Sequence, residues 1–133
     1  MAYLLDTNAC IEVMRGRNPV LKTRLAGMHL RDLSLCSIVW AELHCGVHLS
    51  QNPDRELNRL YTAFGNWPRL PFDDAAAESY GIIRADLKRT GQIIGANDLL
   101  IAAIAIANNR ILITHNTSEF GRVNGLHIED WQS

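Results

Sequence analysis

At 133 residues, with 47% hydrophobic and 20% charged side chains and a formal charge of −1, the chain reads as one soluble globular domain with a single core. The longest apolar run, Leu99–Ala107, has nine residues, and a bilayer span needs about 20, so a membrane helix is excluded. Three cysteines without a CxxC pair exclude a disulfide framework, and the chain enters its first strand without a signal-like segment, so a reduced, cytoplasmic setting is expected.

Tyr3-Leu4-Leu5 reads as a short buried parallel strand that stops at Asp6-Thr7-Asn8. Ala9–Met14 is a short helix ending at Arg15-Gly16-Arg17. Asn18-Pro19 caps and opens another, through about Met28. Leu33–Cys36 is a second strand, and Ser37 is the expected cap of a third helix whose Trp40, Leu43 and Val47 face the core. Asn52-Pro53-Asp54 breaks the chain before a helix over 55–67 with Leu57, Leu60, Tyr61 and Phe64 as its stripe. Arg69–Phe72 is an edge strand, because its proline bars it from a sheet centre. Asp73-Asp74 starts a helix with acids first and Lys88-Arg89 last, the order that complements the helix dipole, and Ala76, Tyr80, Ile83 and Leu87 form its buried face. After a loop over 91–95, the run Leu99–Ala107 is apolar on every side and should be the central helix. Asp98 at its start suits a cap or a charge at the dipole's positive end. Ile111–Thr114 is the clearest strand, followed by a polar segment over 115–120. Val123–Ile128 is the last strand, with Trp131 covering one end.

In open α/β sheets, ligands bind outside the carboxyl ends of the strands. Asp6, Glu42 and Glu119 each follow a predicted strand, and Asp98 opens the buried helix between two of them. Parallel strands would bring all four acids to one edge. Carboxylates that close do not all ionise in a low-dielectric pocket unless a cation joins them. Mg²⁺ typically binds through one or two carboxylates plus waters and substrate phosphate, where it polarises the phosphoryl oxygen and acidifies water. Asn8, Ser37, Thr114 and Asn116 lie beside the acids, placed to orient them or the waters.

The segments Leu4-Leu5-Asp6-Thr7-Asn8, Ala41-Glu42-Leu43, Asn97–Ala103, Thr114-His115-Asn116 and Ile128-Glu129-Asp130-Trp131 follow one another as in the PIN-domain nucleases. Within them the chain resembles the VapC-type toxins of bacterial toxin–antitoxin pairs, over essentially its whole length. The resemblance implies a three-layer α/β/α fold around a mostly parallel sheet of four to five short strands, with residues 1–133 as one nuclease domain. It implies a Mg²⁺- or Mn²⁺-dependent endoribonuclease acting on structured RNA, often tRNA. It also implies a homodimer, inhibited by a VapB-type antitoxin whose tail enters the groove, the complex reaching promoter DNA through that antitoxin. The abundance of apolar helix points to a homodimer as well. Asp6, Glu42 and Asp98 match the family's metal-binding acids. Many PIN domains carry a fourth acid two residues after the threonine; here that position is Asn116, and Glu119 stands in, favouring one tightly held metal over two.

Other readings meet specific objections. His44 and His48 flank Cys45 at zinc-like spacing, but no glutamate follows His44, so a partly exposed helix face is expected. The thiols are expected to be core residues, Cys36 above all. His115 could shuttle protons or touch phosphate, or serve only its loop. Arg15, Arg17, Arg84, Lys88 and Arg89 are candidates for an RNA-facing rim or for plain solvated surface. A phosphoacceptor domain would need adjacent acids after the first strand and a late lysine, whereas Asp6 precedes Thr7 and the lysines are Lys22 and Lys88. The stronger rival is a PIN domain that binds RNA or protein without cutting.

Overall fold

The apolar runs become strands, and the polar residues that close them become the first turns of helices. A computed structural model describes residues 1–133. In order it contains β1 (Tyr3–Leu5), α1 (Thr7–Arg15), α2 (Pro19–Ala26), a 3-10 turn (Leu30–Asp32), β2 (Leu33–Cys36), α3 (Ser37–Leu49) and α4 (Pro53–Phe64). There follow β3 (Arg69–Leu70), α5 (Asp74–Arg89), α6 (Ala96–Ala107), β4 (Ile111–Ile113), α7 (Thr117–Phe120) and β5 (Ile128–Glu129). The strands form one five-stranded sheet in the order β3-β2-β1-β4-β5. Every neighbouring pair is parallel. This is the α/β/α arrangement expected from the sequence, with the larger of the expected strand counts.

β1 is the middle strand, with Tyr3 opposite Leu33 on one side and Ile111 on the other. Its Leu4 and Leu5 have no exposed surface, as a strand covered on both faces requires. The chain leaves β1 towards β2 and β3, then returns to build β4 and β5 on the opposite side. The strand order therefore reverses between β1 and β4, and the crevice outside their carboxyl ends is where α/β sheets take ligands.

Several helix starts follow their sequence signals. Asn18 and Asp73 accept hydrogen bonds from the N–H groups of Leu21 and Ala76, both at 3.0 Å, and such caps stabilise by about 1 kcal/mol each. Gly16 ends α1 at φ +65°, a left-handed position that favours glycine. In α6, Leu99 and Ile101–Ala105 are all buried, and its alanines let α5 pack closely alongside. No buried side-chain polar atom lacks a hydrogen-bond partner.

The structure corrects several expectations. Ser37 is the first helical residue of α3 and caps nothing, because extended Cys36 runs straight into the helix. Val39, Leu43 and Val47, spaced by four, form the buried stripe of α3. Trp40 lies on the flank, under the Arg69 guanidinium at 4.4 Å from its ring centroid. Tyr61 is half exposed on the outer side of α4, and that helix begins at Pro53 and stops at Phe64. Tyr80 is only partly buried. Cys10 and Cys36 are buried, whereas Cys45 is exposed. The last strand is confined to Ile128–Glu129, since the preceding segment turns through Gly125 at φ +84°. No helix is long and apolar enough to cross a membrane.

Candidate active site

The chain turns from strand to helix at Asp6. Its backbone N–H donates to the Ile113 carbonyl at 3.1 Å, which ties the end of β1 to β4. Its Oδ1 accepts from the Ala9 N–H at 2.8 Å, so Asp6 is indeed the cap of α1. Capping does not account for its whole environment. Asp6 is only 4% exposed, and burial raises its pKa; the Thr114 side chain and the Ala9 N–H oppose that, Glu42 adds to it and His115 counters it. Thr114, at the end of β4, is buried beside it and accepts from the Asn116 N–H at 3.0 Å.

Asp98 occupies the first turn of α6. The N-cap position belongs to Gly95, so Asp98 does not cap the helix. It is half buried, and its pKa is pushed up to about 6, first by burial and then by the charges of Glu119, Asp6 and Glu42, with Asn116 partly offsetting them. Hydrogen bonds between neighbouring residues join the segments that carry the four acids: Thr7, beside Asp6, and Asn97, beside Asp98, both bond Glu42, and Gly95, at the start of α6, bonds Glu119. Glu42, in the second turn of α3, accepts from the Thr7 hydroxyl at 2.6 Å and from the Asn97 amide at 3.4 Å. Glu119, in α7, accepts from the Asn116 amide at 2.7 Å and the Gly95 N–H at 3.1 Å. Led by Asn116, these donors hold its carboxyl below the ordinary range.

Asn8 and Asn116 line a groove of about 490 Å³ beside the acids, together with Ile11, Glu12, Arg15, His115 and Gln132. Ser37 stands exposed at the start of α3 and takes no part in the hydrogen bonds around the acids. Of the basic residues considered for a rim, Arg15 lines the groove, whereas Arg84 lies over the Tyr80 ring. Thr7, Asn97, the Gly95 N–H and Asp130 are site neighbours that sequence reasoning left without a role. Thr7 and Asn97 adjoin Asp6 and Asp98, which was the available signal. On the far side of Glu42 an apolar pocket of about 200 Å³ opens between α1, α3 and α4, lined by Ile11, Leu43 and Leu60 among others.

As arranged, no group of three or more His, Cys, Asp or Glu side chains could hold a metal ion. Glu42 and Glu119 are turned instead towards neutral donors. The donor set still fits a hard cation, because oxygen ligands suit Mg²⁺ or Mn²⁺ and one or two carboxylates with waters suffice. Burial first, and then the charges of Glu119, Asp6 and Glu42, disfavour the ionised form of Asp98, an imbalance that a cation would relieve.

Comparison with known proteins agrees with this geometry. The PIN domain family model matches residues 3–126. The tRNA(fMet)-specific endonuclease VapC of Shigella flexneri is 35% identical over 131 residues, covering 98% of both chains. Among solved structures, VapBC-1 from nontypeable Haemophilus influenzae superposes with a TM-score of 0.92 at 34% identity over the full length of both chains. DNA-bound VapBC from Salmonella typhimurium gives 0.92 at 32% identity, covering 98% of both. With a family match from β1 almost to β5 and a relative 35% identical over almost the whole chain, the chain belongs to the PIN domain family.

Proposed function

We propose that the chain is a metal-dependent endoribonuclease, the toxin of a VapBC-type toxin–antitoxin pair, with residues 1–133 forming one nuclease domain. The observation that carries this reading is that Asp6 after β1, Glu42 of α3, Asp98 of α6 and Glu119 of α7 lie on segments joined by the Thr7–Glu42, Asn97–Glu42 and Gly95–Glu119 hydrogen bonds near the sheet's switch point. Full-length likeness to ribonucleases supports it. The substrate class is structured RNA, with tRNA the first candidate because a relative is named for a tRNA. A VapB-type antitoxin is the expected partner, linking the complex to promoter DNA, and the toxin is expected to be a homodimer.

Asp6 and Asp98 are assigned as the principal ligands of Mg²⁺ or Mn²⁺, Glu42 as the third and Glu119 as the fourth. When bound, the ion supplies Lewis-acid polarisation of the phosphoryl oxygen and a more acidic water. Buried Asp6 fixes one ligand through its bond to the Ala9 N–H. Thr7 and Asn97 orient Glu42, and Asn116 and the Gly95 N–H orient Glu119. Thr114 holds the turn carrying Asn116 through that residue's N–H. Outer contacts of this kind set ligand geometry, and losing one typically costs about 10–100-fold in metal affinity or activity.

The test incubates antitoxin-free protein with total bacterial RNA and Mg²⁺ or Mn²⁺, then with EDTA, beside Asp98→Asn. Discrete fragments that require both the metal and Asp98 are the expected result. Intact RNA from folded, metal-loaded protein would favour the non-cutting binder. The amide of Asn116, standing where many PIN domains have an acid, would then be the first residue to restore as aspartate.

A further inference from the structure

His115, just past the end of β4, lies near Asp6, and the assigned metal ligands give it no task. It directly follows buried Thr114 at the end of β4, and its side chain is 61% exposed. Asp130, just beyond β5, holds its Nδ1 at 3.0 Å. That carboxylate is itself anchored, accepting from the Gln132 N–H at 2.9 Å and from the Ser133 hydroxyl at 3.1 Å. Burial raises its pKa, but these donors and His115 outweigh the rise and hold it below the usual value. A carboxylate on Nδ1 fixes the plane of the ring and leaves Nε2 as its free nitrogen.

The groove beside the acids has two basic groups in its lining, Arg15 and His115. Glu12 faces Arg15 from the same helix and already pairs with it at 3.0 Å. The remaining polar lining consists of the amides of Asn8, Asn116 and Gln132. An RNA strand entering here carries phosphates towards a cluster of carboxylates, and each phosphate needs a compensating donor outside the metal site. Arg15, the permanent cation, is engaged by a neighbour on its own surface. His115 is braced from behind by Asp130.

Resting on the nuclease reading for the choice of RNA as ligand, we propose that His115, aimed by Asp130, binds a backbone phosphate through Nε2–H and so sets the strand's register in the groove. In that complex Nδ1 faces the Asp130 carboxylate and Nε2 faces the phosphate. Asp130 is a positioning residue, acting through His115.

The test measures binding of bulk bacterial tRNA to Asp98→Asn protein in EDTA across a salt series. Adding His115→Ala is expected to weaken binding about five-fold and to reduce the slope of log K against log salt by about one, the signature of one lost phosphate contact. His115→Arg, which keeps a cation in place, is expected to recover most of that slope, and Asp130→Asn to shift binding the same way as the alanine variant. Unchanged affinity and slope for His115→Ala, while protein with Asp98 still cuts RNA, overturn the contact and leave the nuclease reading standing. A reduced slope alongside RNA left intact by the protein with Asp98 and Mn²⁺ sustains the contact and removes the cleavage. Equal losses for His115→Ala and His115→Arg would mean a structural role and overturn it. An absence of tRNA binding at any salt overturns it together with the RNA assignment.

Discussion

Leu5 and Asp6 are adjacent in β1 and its closing turn, yet they belong to regions built on opposite terms. Leu4, Leu5, Leu112 and Ile113 are apolar, buried and paired across the sheet. One residue further on, Asp6 and nearby Asp98 are acids whose pKa values burial raises. The interior contributes the stability, and the edge gives some of it up to keep carboxylates where a cation can use them. The same contrast recurs inside the site. Asp98 is strained by its neighbours' charge, whereas Glu119 is already satisfied by Asn116 and Gly95.

The sharpest way to break this comparison is Asp98→Asn. Cleavage should fall by at least about 100-fold, beyond the typical loss of an outer-shell partner, while the folded fraction is kept. Near wild-type turnover, measured on end-labelled fragments, would sink the assignment. Leu112→Ala probes the other region. It should cost about 3 kcal/mol in urea unfolding with cleavage per folded molecule retained; a large loss of specific activity would show that edge and interior are not separable. Glu119→Gln keeps one of the two acceptor oxygens and turns an amide N–H towards the other donor, and should lower Mn²⁺ affinity only about ten-fold, read by calorimetric titration. A loss matching that of Asp98→Asn would show Glu119 to be an equal ligand.

The smallest effect is on stability and depends on pH. In metal-free protein the folded-state pKa of Asp98 is about 6, above its ordinary 3.8. The folded chain therefore binds the proton more tightly than the unfolded chain, so this group lowers stability as pH rises from about 4 to about 6. Asp98→Asn removes that decline. Urea melts without metal should show the variant gaining on the wild type over this window and matching it near pH 4; a constant difference would refute the electrostatic account. Added metal should reverse the trend, since the ion competes with the proton for the carboxylate.

Much of this was legible in the sequence where the cause is local. An apolar triplet ending in Asp6, the asparagine cap before Pro19, the acids-first order of α5 and the all-round apolar character of α6 each act over a few residues, and each found its element. What stayed illegible depends on tertiary packing. The bond from Gly95 to Glu119 and that from His115 to Asp130 join separate elements, and no periodicity encodes them. Trp40 shows the same limit: helical spacing put it near the core, but Val39 owns the buried stripe, and Arg69 and Tyr61 decide how the indole is covered. Of the four acids, Asp6 and Asp98 were readable from their motifs. Glu119 was named from its place after the β4 strand, but its bond from the Gly95 N–H needed the fold, because α7 docks there against the loop before α6.

The central place of β1 also bears on how the molecule comes into being. Tyr3 of β1 pairs with Ile111 of β4, which follows it only after β2, β3 and six α-helices. Pairing so distant in sequence makes for slow folding, because a long loop must close before the contact can form. Until β4 docks, Asp6 has no Thr114 beside it and Glu119 has no place at the edge. A chain in which β4 has not yet docked therefore cannot bring these acids together, and the proposed metal site would form only in the last stage of folding.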